Sequence, residues 1–145
     1  MRATGWMLAV LVVVGCAGVT TPTPSPGGFQ DIVASLVVRG AAITDQVAGD
    51  AGCTDPTLYG NALRLDVRMP GESDSRPVHL LGWRRQTDYE AAGPAFAACL
   101  AMYEAANPTL EVTAVEAPPW RAFGRDWSAA LRSAIERALI EASRS

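Results

Sequence analysis

The chain of 145 residues contains no lysine; all 12 of its Lys-plus-Arg side chains are arginine, and its single histidine is His79. The missing lysine, beside abundant Ala, Gly, Val and Arg, looks like the codon bias of a GC-rich bacterial genome and carries no functional weight. A lone histidine is a different matter, because no second one exists to complete a zinc shell. Absent too are a Gly-x-Ser-x-Gly elbow, a phosphate-cradling glycine loop, a paired His-Glu motif and a Cys-x-x-Cys, so no catalytic residue, cofactor or metal is expected. Positive charge is also scarce, the formal net charge being −3. That balance argues against nucleic acid or an anionic lipid surface as the working partner. Nor is there an apolar run of the roughly 20 residues that a membrane-spanning helix needs. The longest, Trp6 to Val14, is short even when stretched to Val19, and it has no basic stop-transfer flank.

What that run does fit is the apolar centre of a signal peptide, with Arg2 and the amino terminus as its positive start. It leads into Val13-Val14-Gly15-Cys16, which resembles the lipobox of bacterial lipoproteins, with Val13 standing where the family usually has leucine. The resemblance implies cleavage after Gly15 and a diacylglyceryl thioether on Cys16, which becomes the new N-terminus. Two or more acyl chains, at about 0.8 kcal/mol per buried methylene, anchor stably where one is marginal. An ordinary secretory signal and an uncleaved anchor are the alternatives. Behind Cys16, Thr20 to Gly28 has proline at every second position from Pro22 to Pro26 and favours an extended spacer of about 3.1 Å per residue. Residues 1–15 are thus expected to be a signal peptide, 16–28 a lipidated tether, and 29–145 a single domain. That body resembles the small lipoproteins common in GC-rich bacterial genomes.

A domain of this length buries about two-thirds of its unfolded surface around one core. Two cysteines remain for it, Cys53 and Cys99, and in an exported protein such a pair most simply forms a disulfide. A free thiol acting as a nucleophile is the alternative.

Phe29, Ile32, Val33, Leu36 and Val37 recur at helical spacing, with Gly40 as the stop. Ile43 and Val47 mark a strand over residues 41–48, which ends in a loop at Cys53. The clearest strand is Asn61 to Met69, where Leu63, Leu65 and Val67 alternate with Arg64, Asp66 and Arg68. The segment from Pro77 to Arg84 is apolar on both faces and returns as the more central strand of a hairpin. Thr87 and Glu90 form a capping box for a helix with Tyr89, Phe96, Cys99 and Tyr103 on one stripe, kinked or restarted at Gly93-Pro94. Thr109 to Ala114 predicts a fourth strand, ended by Ala117-Pro118-Pro119-Trp120. A last amphipathic helix starts from an Asp126 N-cap. The order α-β-β-β-α-β-α predicts a two-layer α+β domain, with helices on one face of a mostly antiparallel sheet of about four strands.

Five residues are candidates for a ligand face. Arg64 and Arg68, with Arg84 and Arg85 nearby, could form a strip whose planar forks suit carboxylate or phosphate. His79, Trp83 and Trp120 are the aromatic candidates; the competing reading is that the charges solvate a sheet face and the rings fill a core. Asp45, Asp50 and Asp55 lack the spacing of a calcium loop and read as turn caps. The function that fits is an envelope-tethered, non-enzymatic accessory or binding domain, held to the membrane by its lipid and meeting an unknown envelope protein or small ligand. Two other readings are a small hydrolase or thiol enzyme using a free cysteine with His79, and an assembly factor or inhibitor docking through a sheet edge.

Overall fold

The computed structural model describes residues 28–145. The expected signal peptide, the lipidation residue Cys16 and the tether up to residue 27 lie outside the described residues. The elements are α1 (Phe29–Val38), β1 (Ala42–Ala48), α2 (Pro56–Tyr59), β2 (Ala62–Arg68), β3 (Arg76–Gly82), α3 (Gln86–Ala91), α4 (Gly93–Ala106), β4 (Val112–Ala117), β5 (Trp120–Arg125) and α5 (Ala129–Ser143). The class is α+β, as the patterning implies. No helix among the described residues is long and apolar enough to cross a membrane.

The sheet has five strands in the order β1-β2-β3-β5-β4, every neighbouring pair antiparallel. The expectation of about four strands is thereby corrected. Pro118-Pro119 does not end the sheet; it turns β4 into β5, so that Ala117 pairs with Trp120. β5 escapes a pattern reading because Trp120 to Gly124 are all buried, leaving no wet face to alternate with a dry one. β4 itself begins at Val112 rather than Thr109, because the Leu110 N–H closes a turn onto the Asn107 carbonyl.

Helices on a single face would leave the inner strands half naked, and the structure corrects that expectation as well. On one face α1 and α5 cover Leu65, Val67, Val78, Leu80 and Ala122, joined by Ile32, Leu36, Ile135 and Leu139. On the other, α2, α3 and α4 cover Leu81 and Phe123 with Leu58, Tyr89, Phe96, Cys99 and Tyr103. Burying one such aliphatic side chain contributes roughly 1.5–3 kcal/mol, so strands apolar on both sides require two helical layers.

Local signals explain most ends. Gly40, at φ 87°, closes α1 with one 3₁₀-like bond and one wider bond: its N–H reaches Val37 O at 2.9 Å and that of Ala41 reaches Leu36 O at 3.1 Å. A side chain at that φ would be strained. Pro94 occupies the first turn of α4, and the break at Ala92-Gly93 separates α3 from it. Two caps differ from expectation. Arg85, not Thr87, precedes α3, and no side chain caps it. Ser128, not Asp126, caps α5, its hydroxyl accepting from Leu131 N–H at 3.1 Å. Asp126 instead sits at φ 52° with its N–H donated to Glu111 O, which binds the end of β5 to the chain before β4.

Candidate functional site

Cys53 and Cys99 form a disulfide with Cα atoms 5.4 Å apart. It joins the loop that leaves β1 to the inward face of α4, the connection the sequence implied. The loop is thereby held over the sheet, and what lies beneath it is a cross-strand row. Arg64 of β2 is opposite His79 of β3, and His79 is opposite Phe123 of β5, so the three share a face.

Two of the ligand-face candidates, Arg64 and His79, are therefore neighbours. Neither is unoccupied. Arg64 lies 3.0 Å from Asp45, 3.5 Å from Asp50 and 3.9 Å from Asp66, so its charge is met by three carboxylates. His79 is buried, stacked on Phe123 and edge-on to Tyr103. Its Nδ1 makes long contacts to Asp50, 3.5 Å to the carbonyl and 3.6 Å to the carboxylate. Burial pushes the His79 imidazole below its usual pKa, and the charge of Asp50, which acts the other way, does not outweigh it. Asp50 and Asp55 also serve turns. Asp50 accepts from Gly52 N–H at 2.9 Å, and Asp55 caps α2 by accepting from Thr57 N–H at 2.9 Å and Thr57 Oγ1 at 2.7 Å. Those hydrogen bonds from Thr57 hold the Asp55 carboxyl below its usual range. Among the described residues no group of three or more His, Cys, Asp or Glu is placed to hold a metal ion.

Arg68 is exposed and stands opposite Ala42, at the end of β2 remote from the other candidates. Trp83 and Trp120, although buried on opposite faces of the sheet, converge on one cleft of about 390 Å³. It opens where β2 begins, β3 ends and β5 begins. Phe29 and Asn61 also line it, with Arg84 at its mouth. Gly82 is needed here, because a Cβ on it would come within 2.0 Å of the Trp120 ring. The six-membered ring of the indole packs directly against the Gly82 backbone, with Phe29 edge-on at 5.2 Å.

Pattern reading missed one constellation entirely. Arg121 of β5 is buried, its guanidinium 3.8 Å from the centre of the Tyr89 ring, 4.9 Å from Phe96 and 5.4 Å from Trp83. Nη1 donates to Tyr89 O at 3.2 Å, while Nε lies 3.3 Å from Glu116 without the alignment of a hydrogen bond. Glu116 in turn accepts from the Tyr89 hydroxyl at 2.7 Å. Burial, reinforced by that bond to a carboxylate, holds Tyr89 above the usual phenol range. Arginine in a short apolar strand gives no periodic signal, which is why only the fold reveals the box.

Compared with protein-family models, with curated proteins and with solved structures, the chain matches none.

Proposed function

We propose that this chain is a lipid-anchored binding domain of a bacterial cell envelope, with no catalytic role of its own. The Cys53–Cys99 disulfide carries the reading. Such bonds persist in oxidising, extracytoplasmic compartments, which agrees with the export implied by the lipobox at Cys16. The same bond engages both thiols of the body, and so removes the nucleophile that a cysteine-histidine enzyme would require. His79 points the same way, stacked within the core rather than presented beside a reactive group. The stapled body would stand off the membrane on the proline-rich tether and offer its surface to a small ligand or an envelope protein. Nucleic acid is not its partner.

The test is the intact mass of the protein from the membrane fraction, with thiol alkylation before and after reduction. An acylated chain beginning at Cys16, with two further thiols alkylated only after reduction, supports the reading. An unacylated chain overturns the anchor, and alkylation without reduction restores the thiol enzyme.

A further inference from the structure

We propose that the cleft between Trp83 and Trp120 binds a small anion, a carboxylate or phosphate carried on a flat apolar body. This rests on the binding-domain reading and names the ligand class for it.

Shape supplies the first argument. The walls contributed by Phe29, Trp83 and Trp120 are aromatic, and a volume of about 390 Å³ accommodates a ring with one substituent. Gly60 forms part of the opening, and a Cβ added there would meet no atom of the described residues within 4 Å, so among them this side is open space rather than packed core. Beyond Asn61, Trp83 and Arg84 the cleft continues into an open depression that ends at Asp88 and Ala91.

Charge supplies the second. Arg85 grips Asp88 with two parallel bonds, Nε to Oδ2 at 2.8 Å and Nη2 to Oδ1 at 3.0 Å. That pairing consumes the carboxylate on this stretch of the rim. Arg84, one residue away and exposed, forms no ion pair among the described residues. An unmatched planar fork on the rim of an aromatic-lined cleft suits a bidentate anion with a ring attached. Asn61 lines both parts of the cleft, and its side-chain amide is of a type that can add a further donor.

Calorimetric titration of the full chain in nanodiscs of neutral phosphatidylcholine tests this, with phenyl phosphate and benzoate as probes and with inorganic phosphate and phenol as their charged and apolar halves. Saturable binding of either probe, tighter than both halves, is expected. Arg84→Ala should weaken it by about tenfold or more, the usual scale for a hydrogen bond to a charged group. Gly60→Phe should abolish it by filling the cleft, and its helical φ of −65° accepts any side chain. Arg132→Ala, which removes the same charge from α5, should change nothing. Five results would overturn the proposal: no binding of either probe, equal binding of inorganic phosphate (an adventitious ion only), equal binding of phenol, unchanged binding in Arg84→Ala, or binding retained in Gly60→Phe. The titration reads the cleft and the intact mass reads Cys16, so failure of the first leaves the anchored-domain reading standing, and an unacylated mass leaves the cleft untouched.

Discussion

The imidazole of His79 stacks on the ring of Phe123, centroids 5.0 Å apart and planes inclined by 24°. Gly52 packs against both rings: a Cβ there would fall 3.1 Å from two imidazole carbons and 2.9 Å from Phe123 Cζ, at a φ of 74° that itself favours glycine. A ring held this way is folded in its neutral form, and its pKa lies below the usual value, chiefly because burial penalises the cation. Arg64 adds to that effect, and the charges of Asp50 and Asp66 oppose it.

The sign of the pH effect follows. Below a pH of about 6.5 the unfolded chain takes up a proton at His79 while the folded chain does not, so stability falls as pH drops. Above that pH both states are neutral and this contribution is fully present. Urea unfolding midpoints should decline from pH 7.5 to 5.5, and His79→Phe, which keeps a stacked ring, should flatten the decline. An equal decline in the variant would assign the effect to other groups. Asp55, and Glu141, which accepts hydrogen bonds from Ser35 and Arg39, are held below their usual range, titrate at lower pH and do not confuse the comparison.

The staple has a separate consequence. Cys53 and Cys99 are 46 residues apart in sequence, and closing such a loop restricts the unfolded chain by about 4 kcal/mol in the entropic account. Cys53→Ala combined with Cys99→Ala should therefore lower stability by about 2–4 kcal/mol, a large share of what a domain of this size possesses. Thermal unfolding with and without reductant is the check. A change below about 1 kcal/mol would mean that Leu58, Phe96 and Phe123 hold the loop and α4 together without it.

Tyr103 carries a defect that can be removed. Its ring meets Phe123 edge-on at 5.0 Å, but its hydroxyl is buried with no partner among the described residues. Burial chiefly raises its pKa above the usual value, with the charge of Arg125 opposing and those of Asp50 and Asp126 adding to the rise. An unsatisfied buried hydroxyl costs about 1–3 kcal/mol, so Tyr103→Phe should raise stability by roughly 1 kcal/mol, read from urea unfolding. A loss of similar size would show that the hydroxyl has a partner such as an ordered water.

How much of this was legible beforehand depended on whether a residue faces water. Leu63, Leu65 and Val67 alternate with half-wet or exposed neighbours, and β2 was readable from the sequence nearly to the residue. Gly40 and Pro94 act through their own backbones, and both did what local chemistry dictates. Trp120 to Gly124 face protein on both sides, so their strand carries no alternation, and the second helical layer that covers them was equally invisible. The disulfide needed only the count of cysteines and the presumption of export. Among the candidates, Trp83 and Trp120 do meet in a cleft, whereas the strip of Arg64 and Arg68 is split by the tertiary arrangement, Arg64 being claimed by Asp45, Asp50 and Asp66.

Arg121 offers the sharpest test of the interior. Its guanidinium is sandwiched by rings, and its ionic partner Glu116 is half exposed, so the carboxylate keeps water and the Tyr89 hydroxyl if the arginine is removed. Flat stacking should therefore matter more than charge. Arg121→Met keeps the length and the contact with Tyr89 and Phe96 without burying an ion; replacing a buried charge by a well-packed apolar chain is often close to neutral, and a loss within about 1 kcal/mol is expected. Arg121→Lys keeps the charge but places a strongly hydrated ammonium among three rings without the planar fork, and should cost more, about 2 kcal/mol. Unfolding free energies of the two variants decide the order. If lysine proved the milder substitution, the pair with Glu116 would be the dominant interaction and the aromatic box merely its enclosure.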